Sequence, residues 1–259
     1  MPIVFYLFLF FIGTSIGSFL NVLIDRLPKE ETILGRSHCD YCNHPLSPVD
    51  LFPLISYLLL GRRCRYCGKK LSAQYPLVEF ITGVLFILSW IYISPAGTGI
   101  LLKRFVILGI VSCLIVVFVS DAKYRIIPDS VQVALFSFSL FLPFSTEITA
   151  RLYVDRIIAA FLVMAPILFI HLITQGKGMG FGDVKLTFSI GFLLGILEGF
   201  IALYIAFILG AMLGVILIVL KKKNLKSKIA FGPFLVVGVF CILFYKNEFI
   251  LLIKSMYGL

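Results

Sequence analysis

Unbroken apolar runs dominate this chain from residue 3 to residue 250, and each must be buried in protein or in lipid. A stretch of about 17 to 25 apolar residues with few charges is long enough to cross a hydrocarbon core of about 30 Å as a helix. The expected fold class is therefore an all-α polytopic membrane protein with about eight transmembrane helices. Their approximate positions are 3–24, 77–94, 101–120, 129–144, 156–173, 184–198, 200–220 and 230–250. The fourth and sixth are short and the break near Glu198-Gly199 is weak, so seven spans is the alternative count.

The first run, Ile3 to Ile24, has no basic region before it and no small-residue cleavage site. It reads as a retained anchor rather than a removed signal peptide. Orientation follows from the excess of Lys and Arg in cytoplasmic loops. With the amino terminus outside, the inner loops collect Arg26, Lys29, Arg36, Arg62, Arg63, Arg65, Lys69, Lys70, Lys123, Arg125, Lys177 and the run Lys221 to Lys228. The other face keeps Lys103, Arg104, Arg151, Arg156, Lys246 and Lys254. The net charge of +10 is thus spent on orientation and anionic headgroups. No base-reading module accompanies it, so nucleic acid is not an expected partner, whereas membrane lipid is.

One sizeable polar region, residues 25–76, separates the first two spans. It holds Cys39-Asp-Tyr-Cys42 and Cys64-Arg-Tyr-Cys67, two C-x-x-C knuckles with 21 residues between Cys42 and Cys64. Four thiolates close a tetrahedral zinc site and leave no open position for substrate, which favours a structural over a catalytic ion. A cytosolic loop also favours thiolates over disulfides. His38 and His44 are alternative ligands and, more simply, flanking polar residues. Cys113 and Cys241 lie in apolar spans and read as packed small hydrophobes.

In a chain that is 60% hydrophobic and 14% charged, two aspartates at the ends of apolar runs call for explanation. A carboxylate at membrane depth costs several kcal/mol unless hydrated or paired. Asp121 ends the third span and is followed by Lys123 and Arg125. Asp183 follows alternating glycines in Gly178-Met-Gly-Phe-Gly-Asp183, which permit a bent backbone and close approach by an extended polypeptide, and it opens a helix whose dipole favours negative charge. Span parity puts both on the cytoplasmic side, provided two spans lie between them, turning near Pro143 to Glu147. A snorkelling charge is the plainer reading of Asp121, and an ordinary helix-start acid that of Asp183. Asp129, after Pro128, reads as a helix initiator. Glu79 reads as a polar anchor, and Glu147 and Glu198 belong to the outer side. Gly13, Gly17, Gly191 and Gly195 have spacings suited to close helix packing.

Several segments together resemble the type IV prepilin leader peptidase family. They are Gly17-Ser-Phe-Leu-Asn-Val-Leu-Ile-Asp-Arg-Leu-Pro28, the paired knuckles, Tyr75-Pro-Leu-Val-Glu79, Asp121 with Ile127-Pro-Asp129, and Gly178-Met-Gly-Phe-Gly-Asp-Val-Lys-Leu186. The resemblance implies that Asp121 and Asp183 form the catalytic pair of an intramembrane-type aspartyl protease. It implies cleavage of a short basic leader after a glycine, at the cytoplasmic face of the bacterial inner membrane. The substrates implied are precursors of type IV pilins, or pseudopilins of competence or type II secretion. Many such proteins also methylate the new amino terminus with S-adenosylmethionine, and the long polar loop resembles those bifunctional members. No methyl-donor residues are assignable from the sequence, and it specifies no oligomeric state.

The domain reading is a first helix (1–24), a cysteine-rich zinc loop and possible methyltransferase region (25–76) and a peptidase core (77–259). Two other classes fit the apolar pattern: an ion- or proton-coupled transporter using the aspartates, and a non-catalytic pilus-assembly scaffold. The joint occurrence of both aspartate motifs with the cysteine loop favours the peptidase.

Overall fold

The structure, a computed structural model, describes residues 3–93, 100–141, 150–221 and 229–257. Among these the regular structure is helical, with two isolated β-bridges in the polar region between the first two long helices. Among the described residues nine α-helices run in order: α1 Ile3–Arg26, α2 Ile55–Leu59, α3 Gln74–Tyr92, α4 Ile100–Tyr124, α5 Asp129–Phe141, α6 Ala150–Ile173, α7 Phe181–Leu194, α8 Ile196–Val219 and α9 Gly232–Tyr257. All except the short α2 stand at expected spans. Among the described residues five helical stretches are long and apolar enough to cross a membrane, Ile3–Lys29, which includes α1, and those of α3, α4, α6 and α8, and α5 and Gly232–Tyr245 are shorter apolar helices. The expected turn from Pro143 to Glu147 and the basic residues Lys222, Lys223, Lys226 and Lys228 lie outside the described residues.

The chain divides into two compact units, Met1–Ile91 and Tyr92–Leu259. In the first, α1 buries Leu9, Gly13, Gly17, Leu20 and Ile24 along one face. Apolar side chains gain little from leaving lipid, so close van der Waals packing must hold such helices together. Gly13 and Gly17 provide it: a Cβ at Gly13 would stand 2.7 Å from the Gly83 Cα, and one at Gly17 2.7 Å from the Glu79 Cα. Buried hydroxyls satisfy themselves on their own helix, as when Thr82 donates to the Val78 carbonyl at 2.7 Å.

In the second unit α4 buries Ile110, Val111, Leu114, Val116 and Val117. It rests on α5 and α9, while α7 touches α5, α6, α8 and α9. Gly191 lets α7 approach α6, a Cβ there standing 2.7 Å from the Ala159 carbonyl oxygen. The weak break expected near Glu198-Gly199 falls instead at Gly195. That residue takes φ +94°, a conformation side-chain-bearing residues rarely adopt, and it separates α7 from α8. Gly195 therefore makes a turn rather than a packing contact, and Gly199 packs against Val163 inside α8. Cys113 is buried as expected.

Candidate functional site

In the second unit, Asp121 sits in the last turn of α4 and is 6% exposed. Arg125, at φ 57°, ends the helix by returning its N–H to the Asp121 carbonyl at 2.9 Å. The carboxylate leaves its own helix for a partner: its Oδ2 accepts the backbone N–H of Gly232 at 2.9 Å. Gly232 opens α9 just before Pro233, so its amide is one of the donors a helix start leaves without an internal partner. A Cβ at Gly232 would lie 2.7 Å from that same Oδ2. The missing side chain is what admits the carboxylate.

Asp183 stands in the first turn of α7 and is 9% exposed. Its Oδ2 accepts the N–H of the capping residue Gly180 at 3.3 Å, the usual return bond of a carboxylate three positions into a helix. Its Oδ1 is buried and has no hydrogen-bond partner among the described residues. The preceding loop is pinned from α6. Thr174 accepts the Gly178 N–H at 3.1 Å, and His171 Nδ1 lies 2.8 Å from the Met179 carbonyl oxygen. A carbonyl only accepts, so Nδ1 carries the proton.

The fold brings the two aspartates together, since the carboxyl of Asp183 lies within reach of the charge on Asp121. Two further contacts hold this arrangement. Gly182 faces Ile127, with a Cβ position 3.4 Å from the Ile127 Cβ, and Lys185 Nζ meets Asp129 Oδ1 at 2.7 Å. Asp129 thus begins α5 as expected and also ties it to α7. Lys123 lies over the Tyr124 ring at 4.9 Å, whereas Arg125 is the neighbour whose charge acts on Asp121. Two buried carboxylates, each held by one backbone N–H, with one oxygen left without a partner, can share a proton and polarise a water molecule.

The cysteine centre belongs to the first unit. Sγ atoms of Cys39, Cys42, Cys64 and Cys67 all lie within 4.8 Å of one another, and Cys39 and Cys67 are 3.9 Å apart. Tetrahedral zinc with Zn–S bonds of about 2.3 Å needs sulfurs about 3.8 Å apart, so the donor set fits. The two knuckles repeat one backbone design. Cys39 N–H donates to His44 and Asn43 N–H returns to Cys39; Cys64 N–H donates to Lys69 and Gly68 N–H returns to Cys64. Asn43 (φ 53°) and Gly68 (φ 69°) both turn left-handed four residues after the first cysteine, as Asn and Gly tolerate. Burial pushes the Cys39 thiol up to about 11. At Cys64 burial acts the same way, but backbone N–H groups of Cys67 and Tyr66 outweigh it and bring the thiol down to about 7. His38 and His44 stand outside this group, with His44 packed on Tyr66 at 3.8 Å between ring centres.

Glu79 is the anchor its position implied: buried, it accepts the Leu54 N–H at 2.8 Å. Two positioning residues escaped the sequence reading. Gly232 follows a basic run and looks like a routine helix start, and His171 ends an apolar helix with no polar neighbour in sequence.

The profile of the family described as "Type IV leader peptidase family" matches residues 107–215, and that of the "Bacterial Peptidase A24 N-terminal domain" matches residues 11–93. Similar curated proteins carry the name prepilin leader peptidase/N-methyltransferase. One from Bacillus subtilis is 34% identical over 192 residues, covering 71% of this chain and 72% of the relative. One from Klebsiella pneumoniae is 33% identical, covering 71% and 82%. One from Aeromonas hydrophila is 29% identical over 265 residues, covering 92% and 90%. No solved structure matches. With both profiles in order on one chain, and relatives above 30% identity matched over most of their length, this protein belongs to the type IV leader peptidase family.

Proposed function

We propose that this protein cleaves the leader from type IV prepilin or pseudopilin precursors with Asp121 and Asp183, and then N-methylates the new amino terminus. The observation that carries the proteolytic reading is the pair of buried carboxylates within charge reach of each other, each fixed by a single backbone N–H. In the ionised state one carboxylate takes a proton from water as the oxygen attacks the scissile carbonyl carbon. The other, protonated, donates to the carbonyl oxygen; as the resulting diol collapses, the first carboxyl passes its proton to the departing nitrogen and the second recovers one from the diol. The peptide C–N bond breaks, and the two products are a carboxylic acid and a free amine.

Names of the curated relatives support the second activity, and the first unit has room for it. S-adenosylmethionine would supply the methyl group. Cys39, Cys42, Cys64 and Cys67 would hold one structural Zn²⁺, an ion that keeps a small polar segment folded without entering the chemistry. The basic residues of the segments 25–76, 123–125 and around Lys177 support placing the aspartates and the cysteine loop on the cytoplasmic side of a bacterial membrane. A precursor held by its hydrophobic segment would present its basic leader there. The functional division is then an anchor (1–24), a zinc and methyl-transfer region (25–76) and a peptidase core (77–259).

Purified protein in lipid, mixed with a prepilin precursor, tests both activities. Mass measurement should find the leader removed and, with S-adenosylmethionine present, a mature terminus heavier by one methyl group. An intact precursor would overturn the reading.

A further inference from the structure

Residues 51–63 lie in the polar region between the first two spans, yet they turn an apolar stripe outward. Ile55, Leu58 and Leu59 stand at spacings i, i+3 and i+4, on one face of α2, and are 42%, 69% and 82% exposed. Ser56 and Leu60, on the other side, line a cavity of about 370 Å³ within the first unit. The more apolar face of α2 is thus the one turned away from the protein. We propose that residues 51–63 are an interfacial membrane anchor, with α2 lying in the bilayer surface and an anionic phospholipid seated in the groove between α2 and α3. The proposal needs neither the proteolytic nor the methyl-transfer reading.

The depth of α2 follows from what holds it. With 19 residues, α3 is about 28 Å long at about 1.5 Å per residue, so a hydrocarbon core of about 30 Å takes all of it. Its first turns therefore stand at the hydrocarbon boundary. In the second turn the buried Glu79 accepts the Leu54 N–H at 2.8 Å. Leu54 makes that bond at φ 61°, a conformation that residues with a side chain rarely adopt, and the bond fastens the start of α2 to α3. At the other end Arg62, at φ 64°, donates its N–H to the Tyr57 carbonyl and accepts the Leu71 N–H, both at 2.9 Å. Between the two helices opens a groove of about 400 Å³ lined by Leu54, Tyr57, Leu58, Pro76, Leu77 and Phe80. Leu77 and Phe80 are more than half exposed, so the outward stripe of α2 continues the lipid-facing side of α3.

Charge selects the occupant. Arg62 lines the same groove and Arg63 follows it, both exposed, while residues 51–63 contain no acid. Leucines beside arginines at the hydrocarbon boundary match a phospholipid, whose acyl chains meet the leucines and whose anionic headgroup meets the guanidinium groups. An amphipathic helix of this kind sinks about 5 to 10 Å into the boundary, and arginines near the surface add attraction for anionic lipid. Docked in this way, α2 holds the second cysteine knuckle at the membrane surface through the bond between Arg62 and Leu71.

The test uses full-length, zinc-loaded protein in vesicles of phosphatidylcholine and phosphatidylglycerol. Trp90→Phe removes the chain's one tryptophan, and Leu59→Trp then sets a fluorescent reporter on the outward stripe, with Leu58→Trp as a second reporter on the same face. Bromine near the top of the acyl chains should quench the reporter, and aqueous acrylamide should quench it little. At equal bromine content, brominated phosphatidylglycerol should quench more strongly than brominated phosphatidylcholine. Arg62→Gln with Arg63→Gln should lower that preference about fivefold for each charge removed, with zinc content unchanged. Quenching by acrylamide and not by bromolipid would put α2 in water and overturn the proposal. Resistance to both quenchers would show the stripe covered by protein, and loss of the bromolipid signal on adding a prepilin precursor would give the groove to the substrate; either result overturns it. Equal quenching by the two lipids would overturn the assignment of an anionic lipid.

Discussion

Gly232 donates its backbone N–H to Oδ2 of Asp121 at 2.9 Å, joining the start of α9 to the end of α4 across 111 residues of sequence. The bond depends on the glycine, because any Cβ would crowd that oxygen. Gly232→Ala keeps the donor but displaces the carboxylate. A misplacement of about 1 Å at a catalytic group costs about 100-fold in rate. The variant should therefore lose about 100-fold in kcat for prepilin cleavage, with KM little changed. The unfolding midpoint should move by only a few degrees, since the atom that yields is the end of a side chain. Wild-type kcat would refute the positioning role.

Asp129 separates the dyad reading from a looser one in which any aspartate near the loop serves. Its pair with Lys185 has both side chains exposed, at 70% and 41%, and exposed pairs contribute about 1 kcal/mol or less. Asp129→Asn should keep cleavage within about threefold of wild type and cost less than about 1 kcal/mol in denaturant unfolding. A large loss of kcat would place Asp129 in the chemistry.

Most of the scaffold was legible because lipid imposes a strict length rule, and α1, α3, α4, α6 and α8 obey it. Gly13 and Gly17 were legible for a related reason: small residues at helical spacing mark close helix contact. The limits are equally physical. Gly195 and Gly199 are the same residue in the same apolar context, and only backbone dihedrals reveal which one breaks the helix. Asp121 and Asp183 were legible as two isolated charges, but the donors that hold their carboxylates are main-chain amides, to which side-chain identity gives little clue. The outward stripe of α2 lies in a region read as polar, and only its exposure in the fold sets it apart from a buried stripe.

The contact of α1 with α3 is backbone against backbone and cannot yield. Gly17→Val, whose Cβ would lie 2.7 Å from the Glu79 Cα, should destabilise the first unit by about 1 to 3 kcal/mol, the usual cost of overpacking. Thermal unfolding in detergent checks this, and an unchanged midpoint would contradict the packing.

Asp50 ties the turn at Pro48–Leu51 to the second knuckle. It accepts the Ser47 N–H at 3.1 Å, the Ser47 hydroxyl at 2.7 Å and the Tyr66 hydroxyl at 3.0 Å, and it pairs with Arg65 Nε at 2.9 Å. Burial pushes its carboxyl up, but the Ser47 and Tyr66 donors and the Arg65 charge together hold it below the usual carboxylate range. A depressed folded value means that Asp50 contributes stability above the unfolded value, near 3.9. That contribution fades as pH falls through the folded value. Hydrogen exchange at the Cys64–Gly68 amides should therefore speed up below about pH 4 in wild type and show less change with pH in Asp50→Asn. An identical pH profile in the two proteins would refute the tie.

Zinc should be present at one ion per chain, and Cys64→Ser should lose most of it, because a closed four-thiolate site tolerates no missing ligand. Metal analysis measures the ion directly. Chelation should then expose the backbone at Arg62, Arg63 and Arg65 to trypsin, and full resistance after metal removal would contradict a structural role.

The most direct measurement compares cleavage of one prepilin precursor by wild type, Asp121→Asn and Asp183→Asn under single-turnover conditions. Asparagine preserves shape and removes the proton-transfer chemistry. Each variant should fall by at least about 1,000-fold, within the range lost with an acid–base group, while remaining folded and zinc-loaded. Cleavage at the wild-type rate by either variant would contradict the paired-aspartate mechanism.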